Sequence, residues 1–597
     1  MVRLDENGIY IDLGGQQISM PIELLAPAGS PASLRAAVEA GADSVYMGSF
    51  WNARMRARNF TKEELATAMK YCRAEGVKAY IALNTIIFES ELKAVAEYIK
   101  FVYEYGADAL ILQDLGAARI AREAAPGLEL HASTQMSVHN SKTAKLLKKI
   151  GFTRLILARE LSIGQAAAIK KNANIDVEAF CHGALCYSYS GKCLWSYVQT
   201  GRSGNRGVCS QLCRFPWKAY CDGKLIRKGY LTSTKDLNLV GCVPEIEKTG
   251  IDCIKIEGRL KDARYVSAVV SAYRKAIDGG KDAFESLAMI TSRGYTSGYL
   301  FGDARREKLT NPDRPAYGGM DIGKVVKVTP NGAHIKLTGI LKKGDSIRAS
   351  SSGKIISIYR MYVGDKEVES ADSECALRIK TLKRGDTLVK VERAKIEDGF
   401  LKGVNAEKVR KGKSFVIAKK RLNLQVHSVD FDKIISWEAA THGIQGALID
   451  TPRVVFDEEI NEVEEKLREL AEGKPSAFLV SEPALVSDYP TVVSQYANVS
   501  NTLAAQEWAD LGRGSVKGIV AAMEVNQKDA LAMGLIHFTG KKIELAISEN
   551  NLFRELGLAE KQAAGCRLEL EDPGGNRFPV KLRGGRTVIY SPAQHKG

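Results

Sequence analysis

At 597 residues the chain is too long for one hydrophobic core and is expected to divide into three or four domains. Its 45% hydrophobic and 26% charged residues exclude a disordered or fibrous chain. A formal charge of +15 favours polyanionic partners without naming one.

The opening, MVRLDENGIYIDLGGQQISM, has no apolar core of a secretion signal, and no run in the chain reaches the roughly 18 apolar residues of a membrane span. A cytoplasmic protein that makes no use of a membrane is therefore expected. Residues 1–20 read as a short β segment. From 21 to 285 one unit repeats: a short apolar run, a polar residue or glycine, then an amphipathic helical pattern. The runs are Ile22–Ala26, Ser44–Gly48, Lys78–Leu83, Ala109–Gln113, Leu128–Ser133, Arg154–Ala158, Asp176–Phe180 and Cys253–Glu257. Eight strands alternating with helices predict a (β/α)8 barrel of the TIM type. Its mouth would be built where the strands end. Polar residues gather near those ends: Glu23, Asn84, Gln113, Asp114, His131, Ser133, Gln135, Arg159, Glu160, Glu178, His182, Lys255, Glu257 and Arg259.

The connection between the seventh and eighth runs is about seventy residues long, far beyond an ordinary βα loop, which marks it as functional. Seven of the eleven cysteines fall within it, at 181–242. Cys186 and Cys193 are separated by six residues, Cys209 and Cys213 by three. In a reducing compartment such a group points to metal before disulfides. Four thiolates suit either zinc or a 4Fe-4S cluster. Neither spacing is the tight C-x2-C knuckle of a zinc ribbon, and the looser one suits a larger object, with glycines 183, 191, 201, 204 and 207 letting the backbone bend around it. Cluster, zinc and unliganded thiols all remain open on spacing. Cys181 reads as packing and Cys221 as a spare.

The stretch Glu178-Ala-Phe-Cys-His-Gly-Ala-Leu-Cys186-Tyr-Ser-Tyr-Ser-Gly-Lys-Cys193-Leu-Trp-Ser196, followed by Gly201–Arg214 (GRSGNRGVCSQLCR), resembles the signature of the U-32 peptidase family, also called collagenase-like proteases. The resemblance extends to Leu24–Gly29 (LLAPAG), Gly41–Tyr46 (GADSVY), Asn52–Arg54, His131–Gln135 (HASTQ), Ser233–Asp236 (STKD) and Lys255–Arg259 (KIEGR), and so spans the barrel. It implies that Cys186, Cys193, Cys209 and Cys213 bind a 4Fe-4S cluster. It also implies hydroxylation without dioxygen, of a tRNA uridine, a large-subunit rRNA cytidine or a ubiquinone ring. In the RNA-modifying members prephenate, a dicarboxylate, serves the pathway.

Against hydrolysis, the chain has neither a His-Glu-x-x-His zinc site nor a Gly-x-Ser-x-Gly elbow. His182 lies four residues from Cys186, as a cysteine protease could use, but a thiolate committed to iron cannot also be the nucleophile. Arg54, Arg56, Arg58, Arg159, Arg202, Arg206 and Arg259 fall on mouth-side loops, where guanidinium groups would grip carboxylates or phosphates. The expected enzyme hydroxylates a pyrimidine in rRNA or tRNA. The cluster exchanges electrons with a donor such as a ferredoxin, and His131, Glu178 and His182 move protons. A collagenase-like peptidase and an accessory subunit passing electrons or substrate are the alternatives.

Residues 286–400 predict a linker and a small antiparallel β-barrel, opening at Pro315-Ala-Tyr-Gly-Gly. From 401 to 597 the strand–helix alternation returns. Asn140–Gly151 and its following strand match Asn501–Gly512 and its strand, each strand followed by an acidic residue, Glu160 or Glu524, which predicts a degenerate second barrel-like copy lacking the four cysteines. Cys566 stands alone there.

Overall fold

The computed structural model describes residues 2–5, 8–11 and 22–592, apart from 281–286, 288–289, 291, 303–307, 314–319, 331, 350–354, 380, 392–400, 402–405, 418–421, 423, 427, 432–433, 487, 541–542 and 559–564. Val2–Asp5 and Gly8–Ile11 pair as an antiparallel hairpin. The predicted opening at 315–319, and 12–20, lie outside the described residues.

All eight predicted runs are strands of one closed parallel barrel: β1 (Glu23–Pro27), β2 (Ser44–Met47), β3 (Lys78–Leu83), β4 (Ala109–Leu112), β5 (Glu129–Ala132), β6 (Arg154–Ile156), β7 (Asp176–Ala184) and β8 (Cys253–Ile256). Strand β8 closes the ring by pairing with both β1 and β7. Near-continuous apolar strands follow from burial on both faces, inside by the barrel core and outside by the helices. Those helices are α1 (Pro31–Glu39), α2 (Lys62–Ala74), α3 (Leu92–Glu104), α4 (Leu115–Ala124), α5 (Ser141–Ile150), α6 (Ile163–Ala173) and α7 (Ala263–Ile277). Ser30, Thr61, Asp114, Asn140, Ser162 and Asp262 each accept a backbone N–H of the first turn they precede, which fixes where six of these helices begin.

The entry end of the barrel is floored by a polar layer. Glu23, first residue of β1, accepts from Ser44 Oγ at 2.6 Å, Tyr80 OH at 2.7 Å and Arg154 Nη2 at 2.9 Å. His131 stands edge-on to the Tyr80 ring and bonds Glu129, which belongs to the same end. Burial alone would raise the Glu23 carboxyl, but Arg154, Ser44 and Tyr80 outweigh it and hold it at about 2. A depressed carboxyl stabilises the fold fully above its unfolded value of about 4.5 and loses that contribution as pH falls toward 2. The contribution is on the order of 3 kcal/mol. The urea midpoint is therefore expected to fall steeply between pH 4.5 and 2, and Glu23→Gln to flatten that limb.

The predicted second copy contains five parallel strands, β9 (Ile435–Ser436), β10 (Leu448–Asp450), β11 (Ala477–Val480), β12 (Thr491–Val493) and β13 (Val516–Ile519), paired in sequence order. Helices α8 (Asp457–Glu472), α9 (Thr502–Leu511) and α10 (Gln527–Ala532) accompany them. The unit β5–3₁₀ turn–α5 recurs as β12–3₁₀ turn–α9 in detail. Ser133 and Ser494 cap the two 3₁₀ turns, Ser137 and Asn498 take positive φ of 56° and 60°, and Asn140 and Asn501 cap the helices.

The two copies pack reciprocally. Asn140 Nδ2 donates to Val455 O at 2.8 Å, and the Ser141 N–H to Asp457 at the start of α8. Asn501 Nδ2 donates in turn to Ile87 O at 2.8 Å and to Asp114, and the Thr502 N–H to Glu89 before α3. Equivalent elements thus exchange equivalent contacts, as across the two-fold of an isologous dimer.

Three features depart from expectation. The last strands do not continue the second barrel. Glu544–Ser548, Leu568–Glu571, Arg577–Arg583 and Arg586–Tyr590 form an antiparallel sheet, extended by the hairpin Trp217–Cys221/Lys224–Gly229 from the cysteine-rich insertion. Trp195, Trp217, Leu545, Leu570 and Phe578 share its core. Cys566, expected to stand alone, lies at bonding distance from Cys221 within this sheet. The segment Met320–Val391 folds as an eight-stranded antiparallel half-barrel around Ile322, Ile335, Leu377 and Leu388. Among the described residues its end strands, Ile355–Ser357 and Lys366–Glu367, do not pair with each other. No helix among the described residues is long and apolar enough to cross a membrane.

Candidate active site

Strand order and direction bring seven of the predicted binding residues to one cavity of about 210 Å3 at the barrel mouth: Arg54, Asn84, Gln135, Arg159, Lys255, Glu257 and Arg259. All four cysteines, Cys186, Cys193, Cys209 and Cys213, line the same cavity. The insertion leaves β7 beyond Ala184, arches over the mouth and returns along the C-terminal sheet. Ser188 and Tyr189 bond Ile547, and the Leu194 N–H donates to Leu545 O.

Glycine lets the arch come this close. A Cβ on Gly191, at φ 85°, would lie 1.8 Å from Gln135 O, and one on Gly207, at φ 76°, 2.0 Å from Asn52 O. Gly191→Ala is expected to destabilise the protein by about 1–3 kcal/mol through forced displacement of the arch. A lowered urea midpoint with early proteolysis between residues 186 and 213 would show it. Lys192, buried beside this glycine, donates to Ser481 O at 3.1 Å and Tyr496 O at 3.3 Å, and so ties the arch to the second copy. Ser203 and Asn205 do the same through Glu524.

Electrostatically the mouth is a partly buried anion, Glu257, inside a cationic ring. Arg54 Nε donates to Glu257 Oε1 at 3.2 Å, and Arg159 Nη2 lies 3.7 Å from Oε2. Burial would raise this carboxyl, but Arg54, Arg159, Lys255 and Arg259 overcome it and keep it below its ordinary range. Arg259 donates to Asn52 and Asn59, and burial pushes it down to about 10, so it remains charged at neutral pH. Arg159 stacks 4.0 Å over Phe180, and Lys255 Nζ sits 4.2 Å from the Tyr46 ring centre. Below the cavity, Lys255 Nζ donates to Glu178 Oε1 at 2.9 Å, and both residues are at most 3% exposed. Arg214 and Arg293, which the strand pattern did not reveal, complete the ring from the insertion side. Arg214 is anchored by Ser233 Oγ, Thr234 O and Leu185 O, and Arg293 by Asp236.

The other predicted residues lie elsewhere. Glu23 and His131 belong to the polar floor at the opposite end of the strands. Glu178 reaches the cavity only through Lys255. His182 does not line the cavity: its ring is packed among Tyr265, Tyr273 and Tyr295, where burial drives its pKa down to about 4. Gly183, at φ 97°, follows it where β7 bends over Glu257. Arg206 is consumed by a two-pronged pair with Glu91 and a bond to Ile86 O. Arg202 is exposed, and its carbonyl accepts from Ser196 Oγ.

Four cysteine thiols around one cavity are the donor set of a thiolate-held metal group. One tetrahedral zinc holds sulfurs about 3.8 Å apart, given a Zn–S bond of about 2.3 Å. Among the described residues, three ligand atoms within 4.8 Å of one another occur at Cys221, Asp222 and Cys566, and not within the quartet. The four sulfurs thus surround one cavity without three of them converging on a single point. Burial raises the Cys186, Cys193 and Cys213 thiols, the last to about 12. Among the described residues no histidine lines the cavity to activate one of them as a nucleophile.

The family model for peptidase family U32 matches residues 29–310, which hold barrel strands β2–β8 and the whole insertion. A 23S rRNA 5-hydroxycytidine synthase of Escherichia coli is 36% identical over 354 residues, 56% of this chain and 53% of that protein. A Methanocaldococcus jannaschii protein named as an uncharacterized protease is 36% identical over 387 residues, 59% of this chain and 92% of its own length. The tRNA hydroxylation protein P1 of Bacillus subtilis is 38% identical over 274 residues, 44% of this chain and 65% of that protein. The chain thus spans about half the length of the first of these relatives and nearly all of the second. With the quartet, the mouth and the matched region coinciding, the chain belongs to peptidase family U32.

Proposed function

We propose that the chain is an enzyme that hydroxylates a pyrimidine base in RNA without dioxygen, with large-subunit rRNA cytidine ahead of tRNA uridine as the substrate. The observation that carries this reading is the joining of four cysteines and a cationic ring in one cavity at the barrel mouth. It is supported by the RNA-hydroxylating names of the relatives from E. coli and B. subtilis. The alignment with the rRNA relative is the longer of the two, 354 residues against 274, which favours cytidine.

In this reading Cys186, Cys193, Cys209 and Cys213 hold a 4Fe-4S cluster, which supplies electron transfer and Lewis acidity at the mouth. The chain's own groups do the rest. Arg54, Arg159 and Arg259 orient an anionic co-substrate such as prephenate by paired hydrogen bonds, with Glu257 setting their spacing. Asn84 and Gln135, linked by a 3.1 Å bond from Gln135 Nε2 to Asn84 O, present amide edges to the base. Lys255 is the acid–base group facing the cavity, and Glu178 beneath it orients its Nζ through a 2.9 Å hydrogen bond. Replacing a ring C–H by C–OH with water as the oxygen source releases two electrons and two protons, so an oxidised one-electron carrier such as a ferredoxin, used twice, is the expected electron acceptor.

Mass spectrometry of RNA from a strain lacking the gene tests this directly. One pyrimidine should lose a single oxygen, and the wild-type gene should restore it. Unchanged RNA, with loss of collagen or gelatin cleavage, would instead establish the peptidase.

A further inference from the structure

A second cavity, of about 440 Å3, opens at the C-terminal ends of β9–β12, where parallel α/β sheets place their ligands. It occupies in the second copy the position that the cysteine-lined cavity occupies in the first. Gln495 and Tyr496, which line it, are the register equivalents of Thr134 and Gln135, which line the first. The four cysteines have no part in it.

The walls are aromatic and the base is charged. Phe431 and Phe538 meet edge to face at 4.6 Å. The Arg453 guanidinium lies 3.2 Å over the Tyr496 ring. Arg453 is only 5% exposed, and its Nη2 pairs with Glu544. Its Nε and Nη1 have no hydrogen-bond partner among the described residues, although donors buried this deeply are ordinarily satisfied. Asp450, the last residue of β10, faces the same space. Burial, reinforced by Glu544, outweighs Arg453 and holds its carboxyl up at about 6. Arg583 is already committed to Glu438 and Glu544, at 2.6 and 2.9 Å. Lys581 stands exposed at the rim.

These features select a ligand. The three cations, Arg453, Lys581 and Arg583, are matched by Glu438, Asp450 and Glu544, so a simple anion finds no excess charge. Free N–H donors beside a carboxyl ask for a planar edge that both accepts and donates, and the rings ask for an aromatic face. A heterocyclic base provides both, and a phosphate attached to it would reach Lys581.

We propose that the mouth of the second copy binds a nucleotide, with the base edge on Arg453 and Asp450 among the Phe431, Phe538 and Tyr496 rings and the phosphate on Lys581. The nucleotide is either free or part of an RNA strand. The second source rests on the RNA reading above; the site itself does not.

Titration calorimetry of the full chain with cytidine 5′-monophosphate (CMP), cytidine, inorganic phosphate and a short unstructured oligocytidine RNA tests the site. CMP is expected to bind with a Kd below about 1 mM. Arg453→Lys, which keeps the charge for Glu544, should weaken CMP and cytidine alike by about tenfold or more. Lys581→Ala, at an exposed position that threatens no fold, should weaken CMP and leave cytidine unchanged. Displacement of CMP by the RNA assigns the site to a strand, and failure to displace it assigns the site to the free nucleotide. Absence of saturable CMP binding overturns the proposal. So does binding untouched by both variants, or displacement of CMP by inorganic phosphate at equal concentration. Because the readout is binding, it can fail while RNA hydroxylation stands, and the reverse.

Discussion

Cys213→Ala is expected to abolish RNA hydroxylation and to strip the protein of iron while leaving it folded. Cys213 lines the mouth cavity opposite the barrel and also packs against the Trp195–Trp217 core. Alanine keeps the Cβ and removes only the ligand atom, so the cost in packing is small compared with the cost in metal binding. Loss of an outer-shell partner alone typically costs about 10–100-fold in metal affinity, and loss of a direct ligand should exceed that. Two measurements separate the causes: iron content and visible absorbance of anaerobically purified protein, and the urea midpoint of the same sample. Loss of iron with a midpoint near wild type is the expected pair. A variant that retains full iron and full RNA modification would show that Cys213 is not a ligand.

The second large effect is expected at the floor of the same cavity. Glu178→Ala leaves the Lys255 ammonium, 3% exposed, without its carboxylate. Breaking a buried pair by removing one partner costs about 3–5 kcal/mol, because the remaining charge stays largely buried without its direct hydrogen-bonded partner. The double variant Glu178→Gln/Lys255→Met replaces the pair by groups of similar volume and should recover most of that loss. Activity should not return with stability if Lys255 is the acid–base group, as proposed above, because the double variant removes its amine. Urea unfolding and RNA modification measured on the single and double variants give the two readouts. If the double variant regains modification along with stability, Lys255 serves the fold and not the chemistry.

How much of this was legible follows from burial and direction. All eight barrel strands could be read because both faces of each are covered, and a run such as Ala109–Leu112 is then apolar throughout. The mouth was partly legible, since Asn84, Arg159, Lys255, Glu257 and Arg259 do sit where strands end. Glu23 misled because it enters its strand instead of leaving it, and strand direction assigns it to the floor. His131 sits only as far along β5 as Tyr80 does along β3, and meets that ring below the mouth. His182 lies near a strand end, but β7 turns at Gly183 and carries its ring among three tyrosines.

Arg214 carried a signal, as it follows Cys213 directly in the matched signature. Arg293 carried none, lying beyond the last barrel helix. The repeated asparagine cap was legible because a cap needs a particular side chain at a particular offset, and Asn140 and Asn501 both supply it. The C-terminal antiparallel sheet was not. Its partner strand Trp217–Cys221 lies some 350 residues upstream of Leu568–Glu571, and no local pattern reports such a pairing.

The most direct test of the central claim is an iron and acid-labile sulfide analysis of the wild-type chain purified without oxygen. The expected result is about four iron and four sulfide per chain, lost together on Cys213→Ala. One zinc per chain without sulfide, or neither metal with all four thiols freely alkylated in the folded protein, would contradict it.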